Sequence, residues 1–519
     1  MPTTGPATSD FTLSGSQHAG DLAESAARLR REFALHHEAS DQGSVTFLDT
    51  FDWRVHTAGY VLARLAGRLE LSDHDTGALV IRAPAPARLT FAGDLPAALR
   101  DRLHGALGVR AIGPVATVAC SQVTLAAHNS DAKTVARLVI ADHLVEHAAG
   151  QTALMRRVTV VPLRGYDKHG RDLAARLSEL PGVEPAGSSM FVEAVAVSGR
   201  RPGDYSGKLA LTLKRDTPAY DAARLVHRSL LATMQANEAG TIADVDSEFL
   251  HDFRVAVRRT RSALKELPGA LPPEIERQFR AEFRWLGQVT TPTRDLDVYL
   301  LDFPSFAVAV GASAADLAPL HRFLRAEQRR AHTVLRRSLR SVRYRRLREE
   351  WSAAVDEDAP AAPPGPAGNA PIGPTADTRI RKVARRLLRD SGRITDESPP
   401  EAMHDLRKRA KELRYLLEFF SSLYDRKPHS AVVSELKGLQ DTLGTYQDMQ
   451  VQRHAIEGFA DQMHTAGDTR AATLLAAGRL VATLDERQHQ AREEFAERFT
   501  SFGGPRNRRR LADLTGGDL

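Results

Sequence analysis

The chain has 519 residues, with 71 Lys and Arg against 65 Asp and Glu, a net charge of +6 and a pI near 9.4. Its length makes room for two to four domains, and 42% hydrophobic with 26% charged residues is a globular composition that excludes a disordered or fibrous chain. One cysteine, Cys120, excludes an intramolecular disulfide and a CxxC metal site, while the lack of any long apolar run or signal-peptide layout predicts a cytoplasmic protein without a membrane segment.

Residues 1–205 read as an α+β domain. Asp10 to Ser14 is a short strand candidate, and Asp21 to Phe33 has helical spacing. Val45 to Leu48, Leu79 to Ile81, Thr117 to Ala119, Val158 to Val161 and Phe191 to Val195 are apolar or β-branched runs bounded by turn formers, which predicts strands. Ala132 to His147 and Lys168 to Leu180 are expected as helices between them. Within this half, Phe47-Leu-Asp49-Thr50-Phe51-Asp52-Trp53-Arg54, followed by Ala58, Gly59, Leu62 and Arg64, resembles the second-strand region of CYTH domains, the triphosphate tunnel fold. That family carries Glu-x-Glu-x-Lys on the preceding strand, where the acids hold a divalent metal and the lysine holds phosphate. The corresponding segment here is Asp10-x-Thr12-x-Ser14. The resemblance therefore implies a degenerate, CYTH-like domain without triphosphatase activity.

From 217 to 502 apolar residues recur at helical spacing. Helices are predicted over Ala222 to Asn237, Ser247 to Leu267, Pro273 to Gln288, Ala314 to Glu350, Thr378 to Asp390, Pro400 to Leu423, Ser430 to Leu443 and Asp468 to Arg498. Ser398-Pro399-Pro400-Glu401 has the form of a capping box with proline in the first turn. Asp356 to Pro374, rich in Pro, Ala and Gly, reads as a linker between a first repeat at 217–355 and a second at 375–502. The segment 503–519, with Arg508, Arg509 and Arg510, reads as a disordered basic tail.

The repeat is legible at an offset of 153. His251, Arg254, Arg258 and Arg261 fall on His404, Arg407, Lys411 and Arg414; Arg284 falls on Lys437; Asp295 falls on Asp448, 44 residues after the histidine in both copies. On a helix the positions 0, +3, +7 and +10 lie within an arc of roughly 80° and span roughly 15 Å. Each copy thus presents one cationic stripe headed by a histidine. Two similar units usually pack about a pseudo-twofold axis, which would bring both stripes toward one groove. These duplicated helices, with Arg294-Asp295-Leu-Asp297 and its copy, resemble the CHAD family, the conserved histidine α-helical domain. The resemblance implies an all-α domain of two pseudo-twofold four-helix bundles whose central basic groove binds inorganic polyphosphate.

The expected partner is accordingly polyphosphate, held without cofactor or metal by His251, Arg254, Arg258, Arg261, Arg284, His404, Arg407, Lys411, Arg414 and Lys437. A non-enzymatic binding protein is expected, with association to polyphosphate granules as its setting. A solvated helix face is the plain alternative for any single basic helix, and duplication argues against it. Glu248-x-x-His251 and Glu401-x-x-His404, with Glu282 and Glu435, also match a di-metal carboxylate bundle, but arginines one and two turns away would crowd a dication. His251-Asp252 and His404-Asp405 also match the HD pair of phosphohydrolases, but adjacent helical residues diverge by about 100°. The basic run from Arg325 to Arg348 offers a nucleic-acid reading; aromatics make up only 6% of the chain and none interleaves the repeated stripes, so base stacking has little to rest on.

Overall fold

In the computed structural model the chain divides into two units, Met1–Ser206 and Gly207–Leu519, and residues 9–13, 27–311, 314–356, 364–395, 397–467 and 470–517 are described. Ser14, residues 21–26 of the expected first helix and 357–363 of the expected linker lie outside them.

The first unit runs β1 (Ser9–Leu13), α1 (27–32), β2 (Leu35–Thr50), α2 (Arg54–Thr57), β3 (Tyr60–Leu65), β4 (Arg68–Asp73), β5 (Leu79–Pro84), α3 (Ala97–Leu107), β6 (Ile112–His128), β7 (Thr134–His147), β8 (Gly150–Ala153), β9 (Arg156–Pro162), α4 (Asp167–Ser178), β10 (Val183–Pro185) and α5 (Met190–Val197). Every pairing is antiparallel, in the order β10-β1-β9-β7-β6-β2-β3-β4-β5 with β8 on β7. Two expectations change places here. The segment from 134 to 147 is a strand, because its Val135, Val139, Ile140 and Val145 suit a sheet and both edges find partners in β6 and β9. The run from Phe191 to Val195 is helical, capped by Ser189, whose hydroxyl accepts from the Val192 amide. Its apolar face packs on Phe47, Val118 and Val145. Short apolar runs do not distinguish helix from strand by periodicity.

The motif from Phe47 to Arg54 forms a charged corner at the end of β2. Asp49 accepts hydrogen bonds from the amides of Thr50, Val55 and His56, and burial pushes its carboxyl up to about 6 despite them. Asp52 binds both Arg54 and the fully buried Arg110, at 2.9 and 3.3 Å. These residues hold the corner together.

The second unit is helical: α6 (Ala219–Ala243), α7 (Ser247–Glu266), α8 (Pro273–Ala309), α9 (Ala314–Leu339), α10 (Val342–Val355), then α11 (Ile372–Ser391), α12 (Pro400–Phe419), α13 (Arg426–Thr465), α14 (Ala471–Gly503) and α15 (Pro505–Thr515). The first three helices of each set begin 153 residues apart. Among the described residues each repeat has five α-helices where four were expected. Ser341 caps a new helix in repeat one by accepting from the Tyr344 amide. The tail, expected to be disordered, is helical through Thr515 because Leu511 inserts into the main core. Pro292 and Pro304 mark an end to α8 in the sequence, yet the helix runs through both. Its far half shares a core with α9, α13 and α14 through Tyr299, Phe306, Leu324, Ile456 and Leu480, and this burial outweighs the lost helix bonds.

The pseudo-twofold relation is written into the backbone. Ala219 N donates to Ala370 O and Ile372 N to Thr217 O, both at 2.8 Å; Tyr220 N donates to Gly368 O and Gly373 N to Arg215 O, both at 2.9 Å. Under the 153-residue shift each bond maps onto its mate. The expected linker is therefore structured from 364 onward, with Ala367 N bonded to Gly269 O and α11 starting at Ile372. Residues 207–217 also belong to the helical unit, since Leu213 N donates to Ser422 Oγ. Glu401 does not complete a capping box: Pro399 holds the N-cap position of α12, without a side-chain bond.

Close approach of α6 to α7 depends on Gly240, where a Cβ would fall within the ring of the buried Phe249. Alanine in place of a helical glycine gains about 1 kcal/mol in propensity, while overpacking costs typically 1–3 kcal/mol. Gly240→Ala is expected to destabilise the protein by up to about 2 kcal/mol on balance, measurable as a lower denaturation midpoint.

Candidate functional site

The helices α7 and α12 carry the two stripes and pack against each other. Lys265 Nζ meets Glu412 and Arg259 Nη2 meets Glu418, each at 2.7 Å. Shifted by 153 these two ion pairs exchange places with their charges reversed. The contacts run antiparallel, since Arg258 also donates to Tyr415 Oη at 2.5 Å. Beneath them Glu266 is buried, and burial with the neighbouring Glu412 holds its carboxyl well above the usual range.

This contact forms one wall of a cleft of about 570 Å³, closed on the other side by α13 through Gln440, Asp441, Gly444, Thr445 and Asp448. Five of the ten expected residues line it: His251, Arg258, Arg407, Lys411 and Arg414. Arg407 Nη2 donates to Asp448 at 2.8 Å. Arg414 Nε donates to Glu418 at 2.7 Å and its Nη1 to Gln440 Oε1 at 3.3 Å. Among the described residues Lys411 makes no ion pair or hydrogen bond. Burial, then the charges of Arg407 and Arg258, push its ammonium down to about 8. Burial and Arg294 likewise hold His251 below the usual imidazole range.

The other five expected residues are not brought into this cleft. Arg254 is tied to the hydroxyls of Thr290 and Thr291 at 3.3 and 2.8 Å, and burial pushes it down to about 10. Arg261 lies across Gly287, where a Cβ would sit 3.0 Å from its Nη1, and Arg284 is exposed on α8. Lys437 is exposed on α13. His404 Nδ1 is bonded to Gln447 Oε1 at 2.8 Å, in a separate groove of about 400 Å³ that includes Glu401 and His454. The two repeats differ around Arg254 and its equivalent Arg407. Repeat one has Thr291, which takes up Arg254; repeat two has Gly444 there, which leaves space beside Arg407.

Sequence reading missed Arg259, Tyr415, Glu418, Gln440 and Asp441 as cleft residues, and treated Asp448 only as a landmark of the repeat. Spacing gives a signal for the α13 wall, since 437, 440, 441, 444 and 448 share one helical face. Nothing in the sequence sets Arg259 apart from its neighbours. The four cleft carboxylates, Asp252, Glu418, Asp441 and Asp448, make the site a lattice of alternating charge rather than a bare basic stripe.

Three N–H groups on side chains that line the cleft, Arg259 Nε, Arg407 Nε and Gln440 Nε2, are buried and have no partner among the described residues. A buried donor without an acceptor costs about 1–3 kcal/mol. The carboxylates of the di-metal reading are engaged elsewhere. Glu282 pairs with Arg343 at 2.8 Å and Glu435 accepts from Ser501 Oγ at 2.6 Å. The histidine and carboxylates grouped at metal-ligand distances among the described residues are Asp73, His74 and Asp75, in the first unit.

Residues 226–457 match the family model for the CHAD domain. The helical unit contains a CHAD domain. An uncharacterised Mycobacterium tuberculosis protein, known from two strains, is 28% identical over 283 residues, or 52% of this chain. The chain spans about half the length of these relatives, 53%. Among solved structures, the CHAD domain of the plant Ricinus communis is 27% identical and covers 56% of this chain and 94% of its own, with a TM-score of 0.47. PptA from Streptomyces chartreusis is 17% identical, over 55% of this chain and 100% of its own, with a TM-score of 0.44. A Hippeastrum protein reported to have a dominant triphosphatase activity is 11% identical, over 38% of this chain and 99% of its own, with a TM-score of 0.25. Among the described residues, no helix is long and apolar enough to cross a membrane.

The electrostatic state of the CHAD cleft can be tested without a ligand. The ammonium of Lys411 titrates lower in the folded than in the unfolded chain, so its charge costs stability in full below about pH 8, and this cost fades as pH rises toward 10.5. Lys411→Met is expected to stabilise the protein at neutral pH by on the order of 2 kcal/mol. The gain should shrink toward zero in denaturation curves above pH 10.5.

Proposed function

We propose that the protein binds inorganic polyphosphate in the cleft between α7, α12 and α13, without turning it over. The observation that carries this reading is the cleft lined by five cationic side chains, Arg258, Arg259, Arg407, Lys411 and Arg414, of which Arg259 Nε and Arg407 Nε, with Gln440 Nε2, are buried donors that have no partner among the described residues. Phosphate oxygens supply acceptors to all three, and the guanidinium forks suit them geometrically. Lys411 adds a point charge whose mutual repulsion with Arg407 and Arg258 a polyanion relieves. Glu418 and Asp448 hold the arginine forks in place beforehand, which lowers the ordering cost of binding. Polyphosphate needs only these contacts; a nucleic acid would find little platform for its bases in the cleft, where Tyr415 is buried and the other ring is the His251 imidazole. Attachment to polyphosphate granules in the cytoplasm follows from this reading.

The first unit supports binding without catalysis. Asp10, the one acidic position kept in the segment that carries metal ligands in CYTH enzymes, is bound by Arg157 at 2.5 Å and by Thr159 at 2.6 Å. Arg157 is buried and also holds Glu193 and the Ser188 carbonyl. The Asp10 carboxylate, although 40% exposed, is therefore already engaged by Arg157 and Thr159. We expect no phosphate release from tripolyphosphate with divalent ions present, and turnover that depends on the first unit would contradict this.

Titration with polyphosphate, and separately with DNA, RNA and divalent metals, tests the central reading. Affinity for polyphosphate should fall steeply with salt. Arg407→Glu with Arg414→Glu should abolish it while helicity by circular dichroism is retained; unchanged affinity in that folded variant contradicts the site. Affinity should also decline as pH rises through about 8, where Lys411 loses its proton, and Lys411→Arg should flatten that dependence.

A further inference from the structure

The exposed side of α9 carries a second basic line that the cleft does not use. Arg322, Arg325, Arg329, Arg336 and Arg340 are all exposed. At 100° per residue Arg322 to Arg336 fall within an arc of roughly 60° and extend roughly 21 Å along the helix, and Arg340 directly follows its last residue. Among the described residues none of the five makes an ion pair; Glu327, the nearest acid on the helix, pairs with Arg330 instead. The opposite face of α9 is already spent on the core, with Leu317, Leu320, Leu324, Leu335 and Leu339 buried.

These exposed positions take no part in the core that seats the helix. Stability does not explain why repeat one places five unpaired guanidinium groups in a row, whereas a solvated helix face ordinarily mixes both signs.

We propose that this line is a second polyanion contact, which takes the length of a polyphosphate chain that extends beyond the cleft; it rests on the reading of the cleft given above. Polyphosphate fits better than nucleic acid because no aromatic side chain lies on the line to stack a base. It fits better than a lipid surface because the apolar face of the helix is buried and has nothing left to insert. Two separated contacts on one flexible chain raise the effective concentration at the second once the first is filled. The line therefore acts on long chains only.

Four forms of the full chain test this: the wild type, the cleft variant Arg407→Glu with Arg414→Glu, the line variant Arg322→Gln, Arg325→Gln, Arg329→Gln and Arg336→Gln, and their combination. Each is titrated with tripolyphosphate, long-chain polyphosphate and a short duplex DNA over a range of salt. The line variant is expected to keep wild-type affinity for tripolyphosphate and to lose about 10-fold or more for the long chain. Its salt dependence should be shallower by about 3 in slope, from four lost phosphate contacts. Long-chain affinity and salt slope equal to wild type would overturn the inference, as would a loss confined to DNA. If instead the cleft variant binds every probe as wild type does, the cleft reading fails, while a long-chain loss in the line variant would still support the line on its own.

Discussion

The antiparallel contact of α7 with α12 is the constraint on which the helical unit depends. Because equivalent helices cross about a pseudo-twofold axis, any pair of positions that faces across it is met twice. The chain solves this with Lys265–Glu412 and Arg259–Glu418, the same pair of positions with the charges exchanged. Same-charge positions facing one another would repel twice over. The reciprocal backbone bonds around Pro218 and Pro371 fix the same axis at the entry of each repeat. With both fixed, the basic stripes are brought side by side regardless of any ligand.

Symmetry of the backbone does not extend to the site. Repeat one uses Thr290 and Thr291 to satisfy Arg254, so that arginine belongs to the structure. Repeat two has Gly444 in place of the second threonine, and Arg407 keeps a buried Nε without a partner. Loss of both hydroxyls, with Leu443 and Gly444 where repeat one has Thr290 and Thr291, thus separates a closed arginine from one open to a ligand. Duplication supplied two copies of each helix, and each copy kept the packing while the exposed and half-buried polar positions diverged.

Much of this was legible in the sequence. The offset of 153 survives over the first three helices of each repeat because their starts and core positions tolerate little insertion, and His251, Arg258, Arg407, Lys411 and Arg414 stand out as one-face patterns. The acids that brace the cleft were not legible, because Glu418 and Asp441 read as ordinary surface charge until the crossing places them. Nor was the strand at 134–147, where the valines fit a helix face as well as a sheet until β6 and β9 supply edges. The tail was misread because three consecutive arginines outweigh Leu511 in composition, although one buried leucine anchors the helix. The corner around Asp49, Asp52 and Trp53 was read through family resemblance; its carboxylates are engaged by backbone amides and by Arg110 and Arg54.

The most direct test of the central claim is a crystal structure with a short polyphosphate bound. Phosphate density is predicted inside the cleft, with oxygens within hydrogen-bonding distance of Arg407 Nε and Gln440 Nε2 and beside Lys411. Density found only outside it, with those donors still unpartnered, would contradict the assignment.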